Sequence, residues 1–246
     1  MNTIGYISDL EKFLTDLEPG LASAIVHANC QENPTAILMT GALGFGQKTL
    51  SAMRSLLESG ADPVFACVLS RPFYETAVRM LWAARESHGW DRLLTYYANQ
   101  DKKWGREAIE IPGMREVVHR ALKTPTEVLA WTDSSGRKFE DAPPLKTMLT
   151  DIEARDRESN LSGDEDAQIR YAYLYRPLCW AAHGHIKALV PSPQGQFFFL
   201  SLACNAAMGA CWSLYEAYCH MAQEAPRPAI VASRARILEI MFRNRE

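Results

Sequence analysis

The sequence has no internal repeat, no convincing run of residues that alternate apolar and polar, and none of the short motifs that mark common catalytic folds. Each absence removes a class. Without GxxxxGK[ST] there is no P-loop, and GALGFG at 41–46 lacks the preceding strand that a dinucleotide-binding loop needs. Without GxSxG, HExxH or CxxC there is no nucleophile elbow, zinc-protease helix or thiol redox pair. The missing period of two argues against a sheet. A large positive charge is also lacking: 26 Lys and Arg stand against 29 Asp and Glu, for a net −3, so a nucleic-acid contact would rest on a local patch. The six cysteines, Cys30, Cys67, Cys179, Cys204, Cys211 and Cys219, are scattered among apolar helical positions and read as reduced, packed thiols. MNTIGYISDLEKFL mixes acidic and apolar residues where a secretory leader would start basic, so the cytoplasm is the expected compartment.

What remains is helical. The chain has 246 residues, 48% of them hydrophobic, and reads as one all-α domain: an antiparallel helical bundle with extra helices and an irregular middle. N-terminal helices within 1–31 should pack on the bundle, with a break at Pro19. Helices are expected over 35–59, from about 64 to 87 after Asp62 and Pro63, and over 90–106. Shorter ones are expected at 114–122 and 144–157. The region 131–165 reads as an irregular polar and acidic connection. Helices then resume over 166–186, 196–223 and 229–242, and 226–246 forms a basic C-terminal helix. The segment 197–215 has no charged residue and approaches the length of a membrane span. Its Ser201, Asn205 and Ser213, and the lack of a basic flank, favour a buried core helix instead.

YRPLCWAAHGH, at 175–185, places an Arg and two His in a stretch that otherwise reads as core. Arg176 and His183 are seven apart, so on one helix they share a face about 10 Å apart along the axis. A guanidinium and an imidazole suit RNA cleavage by its own 2′-hydroxyl, in which the imidazole moves a proton and the cation neutralises charge at phosphorus. Neither a metal nor a cofactor is expected. His185 cannot share the face of His183 on a helix, which argues against a two-His metal site. In the earlier helix Arg71, Glu75 and Arg79 form an i, i+4, i+8 row, where Glu75 can pair with either cation. That row is either a solvated ion-pair face or a carboxylate that orients Arg176 or His183. Proline follows both Arg71 and Arg176, so each helix is expected to kink there or to begin afresh. Gly184 fits a helix C-cap, which leaves His183 in the last turn, a place suited to an acid.

These residues carry a resemblance. Arg176, six intervening residues and His183 resemble the arginine–histidine signature of the HEPN superfamily. Arg71, Glu75 and Trp82, followed by Tyr175, Arg176, His183 and Gly184, are similar to a bacterial family of uncharacterised HEPN-like helical proteins, over roughly residues 35–220. The resemblance implies a HEPN-like bundle, kinship with metal-independent endoribonucleases of toxin or antiphage systems, and a homodimer that acts on RNA, with a regulatory partner protein. It implies Arg176, His183 and Glu75 as catalytic residues, with Arg71, Arg79, Tyr175 and His185 in support. The other reading is a non-catalytic interaction or nucleotide-binding module, in which Arg176 makes a structural ion pair and His183 caps a carbonyl.

Overall fold

Asp62 and Pro63 start the helix on which the rest is arranged. In the computed structural model, which describes residues 3–27, 34–117, 140–158, 170–184 and 192–222, the Asp62 carboxylate accepts from the Val64 amide at 2.9 Å. Pro63 occupies the first turn, where its missing N–H costs nothing. The described helices are α1 (Thr3–His27), α2 (Pro34–Glu58), α3 (Pro63–Arg85), α4 (Gly89–Ile109), α5 (Leu145–Glu158), α6 (Arg176–Ala182) and α7 (Pro193–Ala222). A π-helical turn, Arg170–Tyr175, leads directly into α6. No strand occurs among the described residues, and the fold is all-α.

Helices α1, α2, α3 and α7 form a four-membered ring of packed neighbours. Glu11 pairs with Arg54 and Glu18 with Gln47, so α1 and α2 run antiparallel, and a four-residue link at 59–62 returns the chain as α3. The fourth helix does not reverse again. Cys67 donates to the Phe199 carbonyl, Gly209 faces Tyr74 and Arg85 reaches Glu216, which sets α7 parallel to α3. A parallel neighbour needs a crossing connection, and the segment holding α4, α5 and α6 provides it while packing on α3. The antiparallel order expected of the bundle thus holds for α1 to α3.

The core lies inside the ring, where Phe13, Leu14, Met39, Leu50, Phe73, Cys211 and Leu214 are fully buried. Gly46 is needed there. A Cβ on it would stand 2.6 Å from the Phe73 ring and 2.8 Å from Leu14, so α2 can approach its neighbours only as glycine. Burial pushes the Cys67 and Cys204 thiols up to about 12, which fits inert packed cysteines. Helix α7 is long and apolar enough to cross a membrane, and 61% of its most apolar stretch is buried, as in a core helix covered by α1 and α3.

Three expectations change. Pro19 does not break α1, which is continuous through it. Pro19 and Thr15 are both exposed, so the carbonyl that loses its partner can turn to water. Pro72 likewise lies inside an unbroken α3. The connection 131–165 is not irregular throughout, since α5 occupies 145–158, as the shorter segment at 144–157 suggested. The rest of that connection, most of the short helix at 114–122, the basic helix at 226–246, Cys30 and His185 lie outside the described residues.

Candidate functional site

The row on α3 supplies the centre of the site. Arg71 donates through Nε to Glu75 Oε1 at 2.9 Å, and Tyr175, on the last residue of the π turn, donates its hydroxyl to the same oxygen at 2.8 Å. The Arg71 guanidinium also lies 5.8 Å from the centre of the Tyr175 ring. Its free end, Nη1, reaches His183 Nε2 at 3.0 Å. Arg71 and Glu75 are about one fifth exposed, at 22% and 23%, while His183 is open to solvent. The result is a half-buried anchor that holds an exposed imidazole.

The local backbone explains how these groups meet. The wider turn at 170–175 absorbs the approach to Pro177, a residue that cannot donate a helical hydrogen bond, and it delivers Tyr175 toward α3. Pro177, Leu178 and Ala181 bury one face of α6 against α3. His183 then caps α6, its amide bonded to the Cys179 carbonyl at 2.9 Å, and Gly184 leaves the helix at φ 64°. That left-handed residue is the glycine terminator expected from the sequence.

The electrostatics favour a fixed pattern of donors. Partial burial opposes the charge on Arg71, but Tyr175 and Glu75 outweigh it and hold the guanidinium above its ordinary value. Burial and the adjacent Glu75 push the Tyr175 phenol well above its usual range, so it stays a donor. An Arg has no acceptor, so His183 Nε2 must accept from it. The imidazole in this arrangement is therefore neutral, with its proton on Nδ1. The helix end had suggested an acid; the observed partner presents instead a lone pair that a phosphate could release by drawing Arg71 away.

The structure unites four of the expected residues, Arg71, Glu75, Tyr175 and His183, and separates the other described two. Arg176 is exposed and pairs with none of the described residues; it stands one helix length from His183, at the opposite end of the seven-residue α6. Glu75 acts on His183 through Arg71 rather than on Arg176. Arg79 turns to α4, with its guanidinium 4.6 Å from the Tyr96 ring and Nη2 3.5 Å from the Tyr96 hydroxyl. Among the described residues no group of three His, Cys, Asp or Glu is placed to hold a metal.

No family model, curated protein or solved structure matches this chain.

A second polar cluster was not anticipated. At the far end of α3, Arg85 donates to Asp156 at 2.5 Å, to Glu216 at 2.9 Å and to His220 Nε2 at 3.1 Å. His220 is exposed, and Arg85 holds it. Arg155 adds bonds to the Arg85 carbonyl and the Glu86 carboxylate. Trp82 donates to Asp151 at 3.0 Å, with the Arg92 guanidinium 5.1 Å from its ring. The signal was available: Arg85 lies three and seven residues beyond Trp82 and Val78, on the buried stripe of α3, where a lone cation requires partners.

Proposed function

We propose that this protein is a HEPN-like endoribonuclease that works without a metal, and that its reacting pair is Arg71 with His183. The observation that carries the reading is the 3.0 Å contact between Arg71 Nη1 and an exposed His183 Nε2, backed by Glu75 and Tyr175. An RNA phosphate entering there competes for Arg71, which follows the negative charge and frees Nε2. The imidazole then accepts the proton of the 2′-hydroxyl as its oxygen attacks phosphorus; the bond to the 5′-oxygen breaks and that oxygen takes a proton from water, leaving a 2′,3′-cyclic phosphate and a free 5′-hydroxyl. Arg71 neutralises charge on the non-bridging oxygens, and Glu75 with Tyr175 keeps its fork aimed. Arg176 is a second cation for the strand on the same short helix. The reading includes a cytoplasmic homodimer in a toxin or antiphage system, controlled by a partner protein.

Incubation of purified protein with RNA in a chelator, with parent, Arg71→Ala, His183→Ala and Arg176→Ala side by side, tests it. Cleavage should fall most for His183→Ala and Arg71→Ala and less for Arg176→Ala. RNA left intact by the parent, or cut equally by all four, overturns the reading. One observation favours a second reading, a non-catalytic nucleotide-binding or interaction module: the four side chains bond to one another in a closed chain. In that case nucleotide binding depends on Arg71 while RNA stays whole.

A further inference from the structure

The Arg71–His183 pair is the end of a longer path. The Tyr171 and Tyr175 rings lie 5.3 Å apart, centre to centre, at 31°. They are four residues apart on the π turn and lie on one side of it. Beyond Tyr171, the Lys146 ammonium of α5 stands 6.0 Å from its ring centre. Cation, ring, ring, cation and imidazole thus follow one another from Lys146 to His183. Tyr171 and Tyr175 are half-buried, whereas Lys146 and His183, at the two ends, are exposed. Tyr173, 75% exposed, falls between the two rings in sequence and takes no part in the path.

The geometry points to a nucleotide subsite at Lys146 and Tyr171, one step along the strand from the phosphate that meets Arg71 and His183. Alternating cations and aromatic faces match a polynucleotide, which alternates phosphates with bases that can stack on any ring. Lys146 lies at the outer limit of a cation–π contact and reaches water, so it can leave the ring for a phosphate at little cost. The face it uncovers then takes a base. Lys146 also stands in the first turn of the 14-residue α5, where the helix dipole adds to the attraction for an anion. The Glu75 carboxylate, which would repel a phosphate, is already paired with Arg71. The subsite rests on the RNA reading for its position relative to the scissile bond, but binding there does not need cleavage.

The test measures binding of a short, fluorescent, 2′-O-methyl oligoribonucleotide to the full chain over a range of salt. This probe has no attacking 2′-hydroxyl, so failure of catalysis and failure of the subsite read out separately. Tyr171→Ser should weaken binding roughly tenfold, and Tyr171→Phe, which keeps the ring, should bind like the parent. Lys146→Gln changes an exposed side chain and should reduce the slope of log K against log salt by about 0.7. Equal affinities for parent and Tyr171→Ser, an unchanged slope for Lys146→Gln, or no binding by the parent overturns the subsite. If Tyr171→Ser has lost its helical circular dichroism, the slope of Lys146→Gln decides alone. Tyr171-dependent binding of the probe with no cleavage of RNA leaves the subsite standing and removes the ribonuclease.

Discussion

Two of the three arginines of α3, Arg71 and Arg85, stand fourteen residues apart, and their two sites use the same ingredients to different ends. Arg71 and Arg85 each meet a carboxylate and an imidazole nitrogen. Arg85 is 7% exposed and has two carboxylates from two other helices, α5 and α7. Every arm of its guanidinium is spoken for, and the bonds tie the crossing segment to the bundle. Arg71 is 22% exposed and has one carboxylate, from its own helix, so its outer arm is left for the surface imidazole. A buried cation with excess negative charge has nothing to offer a ligand. A half-buried cation whose last partner is a neutral imidazole can exchange that partner for a phosphate. On the proposed reading, Arg85 is structural and Arg71 is the cation that meets the ligand.

Single substitutions should separate the two roles. His183→Ala should reduce RNA cleavage by about 10² to 10⁴, the range for losing a general acid or base, while stability changes by no more than about 0.5 kcal/mol because the side chain is exposed. Equal losses of stability and cleavage would make His183 a structural cap. Arg85→Ala should show the reverse. It leaves Asp156 and Glu216 facing each other without a cation, and urea unfolding should register about 3 kcal/mol, with residual cleavage by the folded fraction near that of the parent. A small stability change there would erase the contrast. Tyr175→Phe comes next. Glu75 loses one of its two donors, and about 1 kcal/mol of stability should go with it, together with a modest fall in cleavage as Arg71 gains freedom.

The fold was legible because periodic apolar residues and the Asp62–Pro63 start specify helices locally. Its topology was not, since the parallel pairing of α7 with α3 depends on contacts such as Cys67 to Phe199, 132 residues apart. Of the site, Glu75 and His183 could be picked out by type and spacing, and Arg71 as a partner of Glu75, but not as the arginine that joins Glu75 to His183. Seven-residue spacing favoured Arg176, whereas the side chain that reaches His183 comes from 112 residues earlier in the chain. Sequence spacing measures neighbours along one helix, and this contact crosses between two. The proline at 177 was legible as a disturbance but not as its remedy, because a π turn leaves no distinctive residue pattern.

The smallest effect is a pH dependence, and it probes the Arg85 side of the contrast. Partial burial and the neighbouring Arg85 guanidinium hold His220 below its ordinary value of 6.5, only partly offset by Asp156. The folded chain therefore binds a proton at this site less readily than the unfolded chain. By linkage the contribution is fully present above pH 6.5 and is lost as the pH falls through the lower folded value. Protonation also removes the lone pair that accepts from Arg85 Nε and sets two cations 3.1 Å apart. Urea midpoints of the parent should accordingly rise between about pH 5 and pH 7 more steeply than those of His220→Gln. Every other group is common to both proteins, so the difference between the two curves isolates this one. Parallel curves would mean that His220 leaves Arg85 in solution, and that the clamp is held by its two carboxylates alone.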